Sequence, residues 1–138
     1  MAIVVKMNKN DIPIKALDIN LSDFNDKVYN IDDISSGGEI KFKGDKPVVL
    51  DFHANWCGPC KVLSPLMDSL SEKYKDKVDF YKIDIESEID IAMAFGVRSI
   101  PYLLFIPKDG NPISIPGAID KESFIKVIDE NLIGGNKE

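Results

Sequence analysis

Along this chain the spacing of apolar residues switches between the two-residue period of strands and the longer period of helices. Val48 to Ala54 is apolar on both faces apart from Asp51 and His53, as in a strand covered from both sides. Val62, Leu63, Leu66, Met67, Leu70 and Tyr74 then recur at helical spacing, with Pro65 removing one backbone hydrogen bond and kinking that helix. Val78 to Ile85 reads as the next strand, and Glu88 to Phe95 as a helix stopped by Gly96. Tyr102 to Ile106 and Ile113 to Ile115 flank a turn whose Asp109-Gly110 pair predicts a hairpin. Asp120 is placed to cap a last helix, with Phe124, Ile125, Val127, Ile128 and Leu132 as its apolar face, ending before Gly134-Gly135.

Upstream the pattern weakens. Residues 1–15 are polar, rich in Asn and Lys and interrupted by Pro13, and read as a loosely held arm before a single domain of residues 16–138. Ala16 to Asn20 suits a short edge strand, and Leu21 to Tyr29 a short amphipathic helix through Leu21, Phe24 and Val28. The stretch from Ile31 to Lys46 reads as a loop, broken by Ser35-Ser36-Gly37-Gly38. Met67 and Met93 read as core filler. The order β-α-β-α-β-α-β-β-α predicts an α/β fold, a mixed central sheet flanked by helices on both faces. A strand-helix-strand crossover makes its centre parallel, and the hairpin adds an antiparallel edge.

Composition narrows the chemistry. The chain has 138 residues, 44% hydrophobic and 29% charged, enough for one domain with a real core. A net charge of −6 without a basic tract argues against nucleic acid and acidic membrane surfaces as partners. No stretch approaches the ~20 apolar residues of a membrane span, so no membrane insertion is expected. The start, Met1-Ala2-Ile3-Val4-Val5-Lys6, has too short an apolar run for a signal peptide. A cytoplasmic address is therefore favoured, with an exported mature form as the alternative.

The two cysteines, Cys57 and Cys60, are the only ones, and they share the block Trp56-Cys57-Gly58-Pro59-Cys60. Thiols three apart cannot cross-link distant parts of a fold; among alternating strands and helices they read as a redox pair. A zinc site needs about four ligands, and His53 is the only histidine, so no metal site is expected. The block falls where a strand ends and a helix begins, which places Cys57 among unpaired backbone N–H groups that lower a thiol pKa. Cys60, one turn in, is more enclosed, so Cys57 attacks and Cys60 resolves. Pro59 is tolerated in a first helical turn, and Gly58 leaves room for a substrate backbone. Trp56 either packs half-buried or meets partners. Asp51 is either a buried carboxylate behind Cys60, where desolvation raises its pKa and suits it to accept a proton, or an edge residue facing water. Lys82 lies either beside Asp51 or in solvent. His53 either titrates near the site or merely packs.

These residues together resemble the thioredoxin family. Asp51-Phe52-x-Ala54-x-Trp56-Cys57-Gly58-Pro59-Cys60-Lys61 is similar to the family's active-site pattern, and Pro65 falls where members carry a helix-kinking proline. Lys82-Ile83-Asp84 resembles the strand that supplies a lysine near the buried aspartate. Val97-Arg98-Ser99-Ile100-Pro101 resembles the segment ending in a cis-proline, and Gly117-Ala118 the loop that completes the groove. The resemblance covers roughly residues 46–132.

That resemblance implies a thioredoxin-like fold and a thiol-disulfide oxidoreductase that reduces protein disulfides. Cys57 would be the nucleophile, Cys60 the resolving thiol, and Asp51 an aid to proton transfer supported by Lys82. Trp56, Ile100, Pro101, Gly117 and Ala118 would bind substrate, with Pro101 also keeping metals from the thiols. No bound cofactor is implied. Partners would be disulfide-containing client proteins and a separate electron donor, a thioredoxin reductase or a membrane thiol donor, with the protein acting as a monomer. A disulfide oxidant or isomerase is the alternative within the fold, and a redox-idle binding module the alternative outside it. Three positions depart from the pattern: His53, where an aromatic or small residue is common; Ser99, where many members have glycine; and Tyr102, where threonine is frequent.

Overall fold

A computed structural model describes residues 14–134, so the expected arm of residues 1–15 lies outside the described residues except for Ile14 and Lys15. Strand β1 (Leu17–Asp18) leads into helix α1 (Leu21–Lys27), whose Asn20 cap accepts from the Asp23 N–H while Asp23 reaches back to the Asn20 N–H. This is a reciprocal capping box. A second short helix, α2 (Ile31–Ser36), lies within the stretch expected to be loop. It is too short to show a helical period and holds through a cap and a dock. Asn30 accepts from the Asp32 N–H, Ile31 is buried, and Gly37 ends the helix at φ +75°.

Strand β2 (Val48–His53) is followed by helix α3 (Gly58–Lys73), strand β3 (Asp79–Asp84), helix α4 (Ile89–Ala94), strands β4 (Tyr102–Ile106) and β5 (Ile113–Pro116), and helix α5 (Lys121–Asn131). The sheet order is β1-β3-β2-β4-β5, which makes β2 the central strand. β1, β3 and β2 run parallel, whereas β4 pairs antiparallel with β2 and β5 antiparallel with β4. Antiparallel pairing thus begins at the sheet's centre, one strand earlier than the hairpin alone predicts. The chain after α4 turns back along β2 instead of crossing over, a choice that periodicity does not encode. Among the described residues, no helix is long and apolar enough to cross a membrane.

Alternation along β2 decides the site. Val48, Leu50 and Phe52 join a core layer with Phe24, Ile31 and Ile91 on one face of the sheet. Val49 faces the other layer, built on Leu63, Met67, Leu70, Phe124 and Ile128 from α3 and α5. Since strand side chains alternate, Asp51 and His53 follow Val49 onto the face that α3 covers. The buried line of α3 is Cys60, Leu63, Met67 and Leu70. Val62, one residue off that line, is 80% exposed, and Met93 on α4 is 73% exposed. Neither is core. A helix turns about 100° per residue, so a neighbour of a buried position readily points to solvent.

Candidate active site

The strand β2 runs out at His53, and a tight Ala54-Asn55-Trp56 connection delivers Cys57 as the N-cap of α3, with extended backbone and Pro59 in the first turn. Cys57 and Cys60 form a disulfide with Cα atoms 5.3 Å apart, inside the usual range for such bridges. Cys57 Sγ accepts the Cys60 backbone N–H at 3.2 Å. That N–H is one of the donors a helix start leaves without an intrahelical partner, and it favours a thiolate on Cys57 once the bridge opens. Each cysteine is only 4% exposed, so in this oxidised form they do not differ in exposure as the sequence suggests. They differ in position, one at the cap and one a turn inside. A side chain at Gly58 would meet no protein atom within 4 Å, so glycine there leaves open space beside Cys57.

Behind Cys60 lies a half-open cavity of about 230 Å³, whose lining includes Asp18, Asp51, His53, Ser64 and Lys82. Asp51 is 1% exposed, and its Oδ1 has no hydrogen-bond partner. Burial pushes its carboxyl up to about 6, against the opposing pull of positive charge at His53 and Lys82; Asp18 adds a smaller push upward. The buried alternative for Asp51 is therefore the observed one. Lys82 sits in register with Asp51 on the neighbouring strand. Its ammonium, however, donates to Ser64 Oγ at 2.5 Å and lies 3.8 Å from Asp68 Oδ1, so α3 draws it off the carboxylate. Ser64 follows Cys60 by four residues and shares its helix face, a spacing visible in the sequence but not singled out. Asp68, four further on, repeats it. Among the described residues, no group of acidic, His or Cys side chains is arranged to hold a metal ion.

On the outer side, Ile85 and Ile100 pack against the buried Ala54, Cys57 and Cys60. The Ile100-Pro101 peptide bond is cis. The Gly117 N–H donates to the Pro101 carbonyl at 2.7 Å, which fastens the loop after β5 beside the proline. Gly117 has φ +89°, a conformation costly for any residue with a Cβ. Ala118 is exposed next to it. Trp56 is 66% exposed, so it does not pack half-buried; its indole N–H donates to Glu86 Oε2 at 2.8 Å. Glu86, which escaped the sequence reading, holds an otherwise free ring in place. Ile100 thus packs on the two cysteines, and Gly117 is tied to the adjacent Pro101.

A buried carboxylate behind a cap-position cysteine pair is placed to exchange a proton with the inner thiol. Comparison with known proteins identifies the family. The family profile described as Thioredoxin matches residues 38–130. A thioredoxin of Borreliella burgdorferi is 45% identical over 113 residues, covering 82% of this chain and 94% of that protein. A thioredoxin of Pseudomonas aeruginosa is 35% identical over 106 residues, 76% of this chain and 96% of its own length. An M-type chloroplastic thioredoxin of Spinacia oleracea is 36% identical over 106 residues, 77% of this chain and 58% of its own. With the mixed five-stranded sheet and the Cys57–Cys60 bridge, these matches establish that the chain belongs to the thioredoxin family and is a thiol-disulfide oxidoreductase with protein-disulfide reductase activity.

Proposed function

We propose that Cys57 attacks the disulfide of a client protein and Cys60 resolves the resulting mixed disulfide, with Asp51 taking the Cys60 proton. The observation that carries this reading is the asymmetry around the bridge: a backbone N–H aimed at Cys57 Sγ, and a buried carboxylate with one unpartnered oxygen in the cavity that Cys60 also lines. In the first step the Cys57 thiolate forms a bond to one client sulfur and the other client sulfur leaves as thiolate. In the second, Cys60 gives its proton to Asp51 and its sulfur attacks Cys57 Sγ. The Cys57–client bond breaks, the internal disulfide closes and the client leaves reduced. A carboxyl held near 6 gives up its proton more sluggishly than an ordinary aspartate, yet is ionised at neutral pH and ready to accept one. Lys82, anchored on Ser64, supports that carboxylate from a distance.

Ile100, Pro101, Gly117 and Ala118 receive the client segment beside Trp56, Gly58 and Pro59 without holding a cofactor. The electrons come from a separate donor, a thioredoxin reductase or a membrane thiol donor. In this reading the protein acts as a monomer. A reducing compartment, the cytoplasm, suits a dithiol that must be returned to its reduced form. The test is trapping in cell extract. Cys60→Ser should accumulate mixed disulfides on Cys57, and Cys57→Ser should not; adducts on Cys60 instead would reverse the assignment. A strongly oxidising potential of the pair, nearer the ~−120 mV of an oxidant than the ~−270 mV typical of reducing members, would overturn the assignment of direction.

A further inference from the structure

His53 is the residue of the site that the exchange chemistry leaves without a task, and it follows Asp51 by two positions on β2, on the same face of the sheet. It lines the cavity shared by Asp51, Cys60 and Lys82 and also a second hollow opening beyond the strand end. Its Nε2 meets Asp18 Oδ1 at 2.7 Å; the histidine side chain is 17% exposed and the aspartate 61%. Both members of this pair border the cavity that holds Asp51, the histidine on its more enclosed side and the aspartate where it opens to water. Asp18 pairs in register with Lys82, and Lys82 with Asp51, so a negative, a positive and a negative group occupy one row across β1, β3 and β2. Asp51 Oδ1 has no hydrogen-bond partner to take a proton directly.

We infer that His53 is a proton-relay residue, carrying the proton that Asp51 receives from Cys60 out to solvent at Asp18. This rests on the role proposed for Asp51. After the resolving step Asp51 holds the proton. His53 passes the proton on through water in the cavity, taking it on one ring nitrogen and releasing one to bulk water beside the Asp18 carboxylate. Asp51 returns to its ionised form, and no electron moves. A volume of about 230 Å³ is ample for bridging water, which needs only about 10–15 Å³ of such space. The charged groups facing His53 leave Asp18 as its partner. Lys82 is held by Ser64 on α3, and Lys61 of α3 lines only the cavity side. Across the outer hollow, Asp84 accepts the Glu86 N–H, Asp23 the Asn20 N–H and Glu88 the Leu21 N–H.

The experiment is single-turnover reduction of a disulfide-linked peptide, followed by the fluorescence of Trp56, the only tryptophan, from pH 5.5 to 8.5 in dilute buffer. His53→Gln keeps a side chain able to bond Asp18 but cannot carry a proton. It should slow the resolving step about tenfold, a modest share of what a positioned acid-base group contributes. Added imidazole should restore the rate, a response that a merely structural role would not show. Asp18→Asn, which leaves the histidine in place, should slow the same step less and respond to imidazole in the same way, so the test does not depend on one variant folding. A resolving rate within twofold of the parent in both variants, or a loss that imidazole leaves untouched, overturns the relay. Asp51→Asn separates the two readings: if it slows resolution while His53→Gln does not, only the relay falls. If neither does, the assignment of Asp51 falls as well.

Discussion

Asp51 makes a prediction in which function and stability pull in opposite directions. Its carboxyl is buried on the central strand with one oxygen unpartnered, and desolvation pushes it from 3.8 to about 6. In the unfolded chain the same group titrates near 3.9. Between those values the folded protein holds a proton that the unfolded chain has lost, so stability falls as pH rises through that window. A rise of this size corresponds to ~3 kcal/mol at 1.36 kcal/mol per pH unit, fully expressed above pH 6 and absent below pH 4. Asp51→Asn removes the ionisation at nearly constant volume. The oxidised variant should match the parent at pH 4 and exceed it by ~1–3 kcal/mol at pH 8, the lower end reflecting the amide's own unmet hydrogen bonds. Denaturant unfolding at half-unit pH steps measures the difference, and an unchanged slope against denaturant keeps the comparison sound. A stability difference flat across pH 4 to 8, or a variant weaker than the parent at pH 8, would refute the account of Asp51.

Other parts of the structure give sharper structural tests. Phe124→Ala removes a fully buried ring that meets Phe105 edge-on at 5.3 Å, and should lower stability by ~3–5 kcal/mol in chemical denaturation. Val62→Lys should leave stability within ~0.5 kcal/mol of the parent, because that residue of the apparent apolar stripe faces water; a loss above 2 kcal/mol would show that it packs. Gly117→Ala forces a Cβ onto a positive-φ residue and should cost ~1–2 kcal/mol. Its reductase activity toward a protein disulfide should fall further than the lost stability explains, since the same loop is tied to Pro101; an equal fall in both would confine Gly117 to a structural part.

The elements with long, regular patterns were legible from residues alone: β2 as a doubly covered strand, α3 and α5 as amphipathic helices, and the Asp109-Gly110 turn between two strands. The cysteine block was legible for a different reason. Redox chemistry of this kind needs two thiols one turn apart at a helix start, and nothing else in the chain offers them. Helix α2 was not, because six residues carry no period and depend on Asn30 and on the burial of Ile31. The exposure of Val62 and Met93 was hidden too, since periodicity names a stripe but not its edges.

What the chain alone determined was therefore chemical: that two neighbouring thiols exchange with disulfides, and that one carboxylate lies in an otherwise apolar strand. Only the folded molecule decided who meets whom. Strand order placed Asp18, Lys82 and Asp51 in one row, and the packing of α3 drew Lys82 to Ser64, while Asp51 Oδ1 stayed without a partner. It also set Glu86 under Trp56 and Gly117 against Pro101. Local pattern reports period and polarity within one segment. Partners brought together from distant segments depend on register and helix rotation, which are settled by the packing of the whole core.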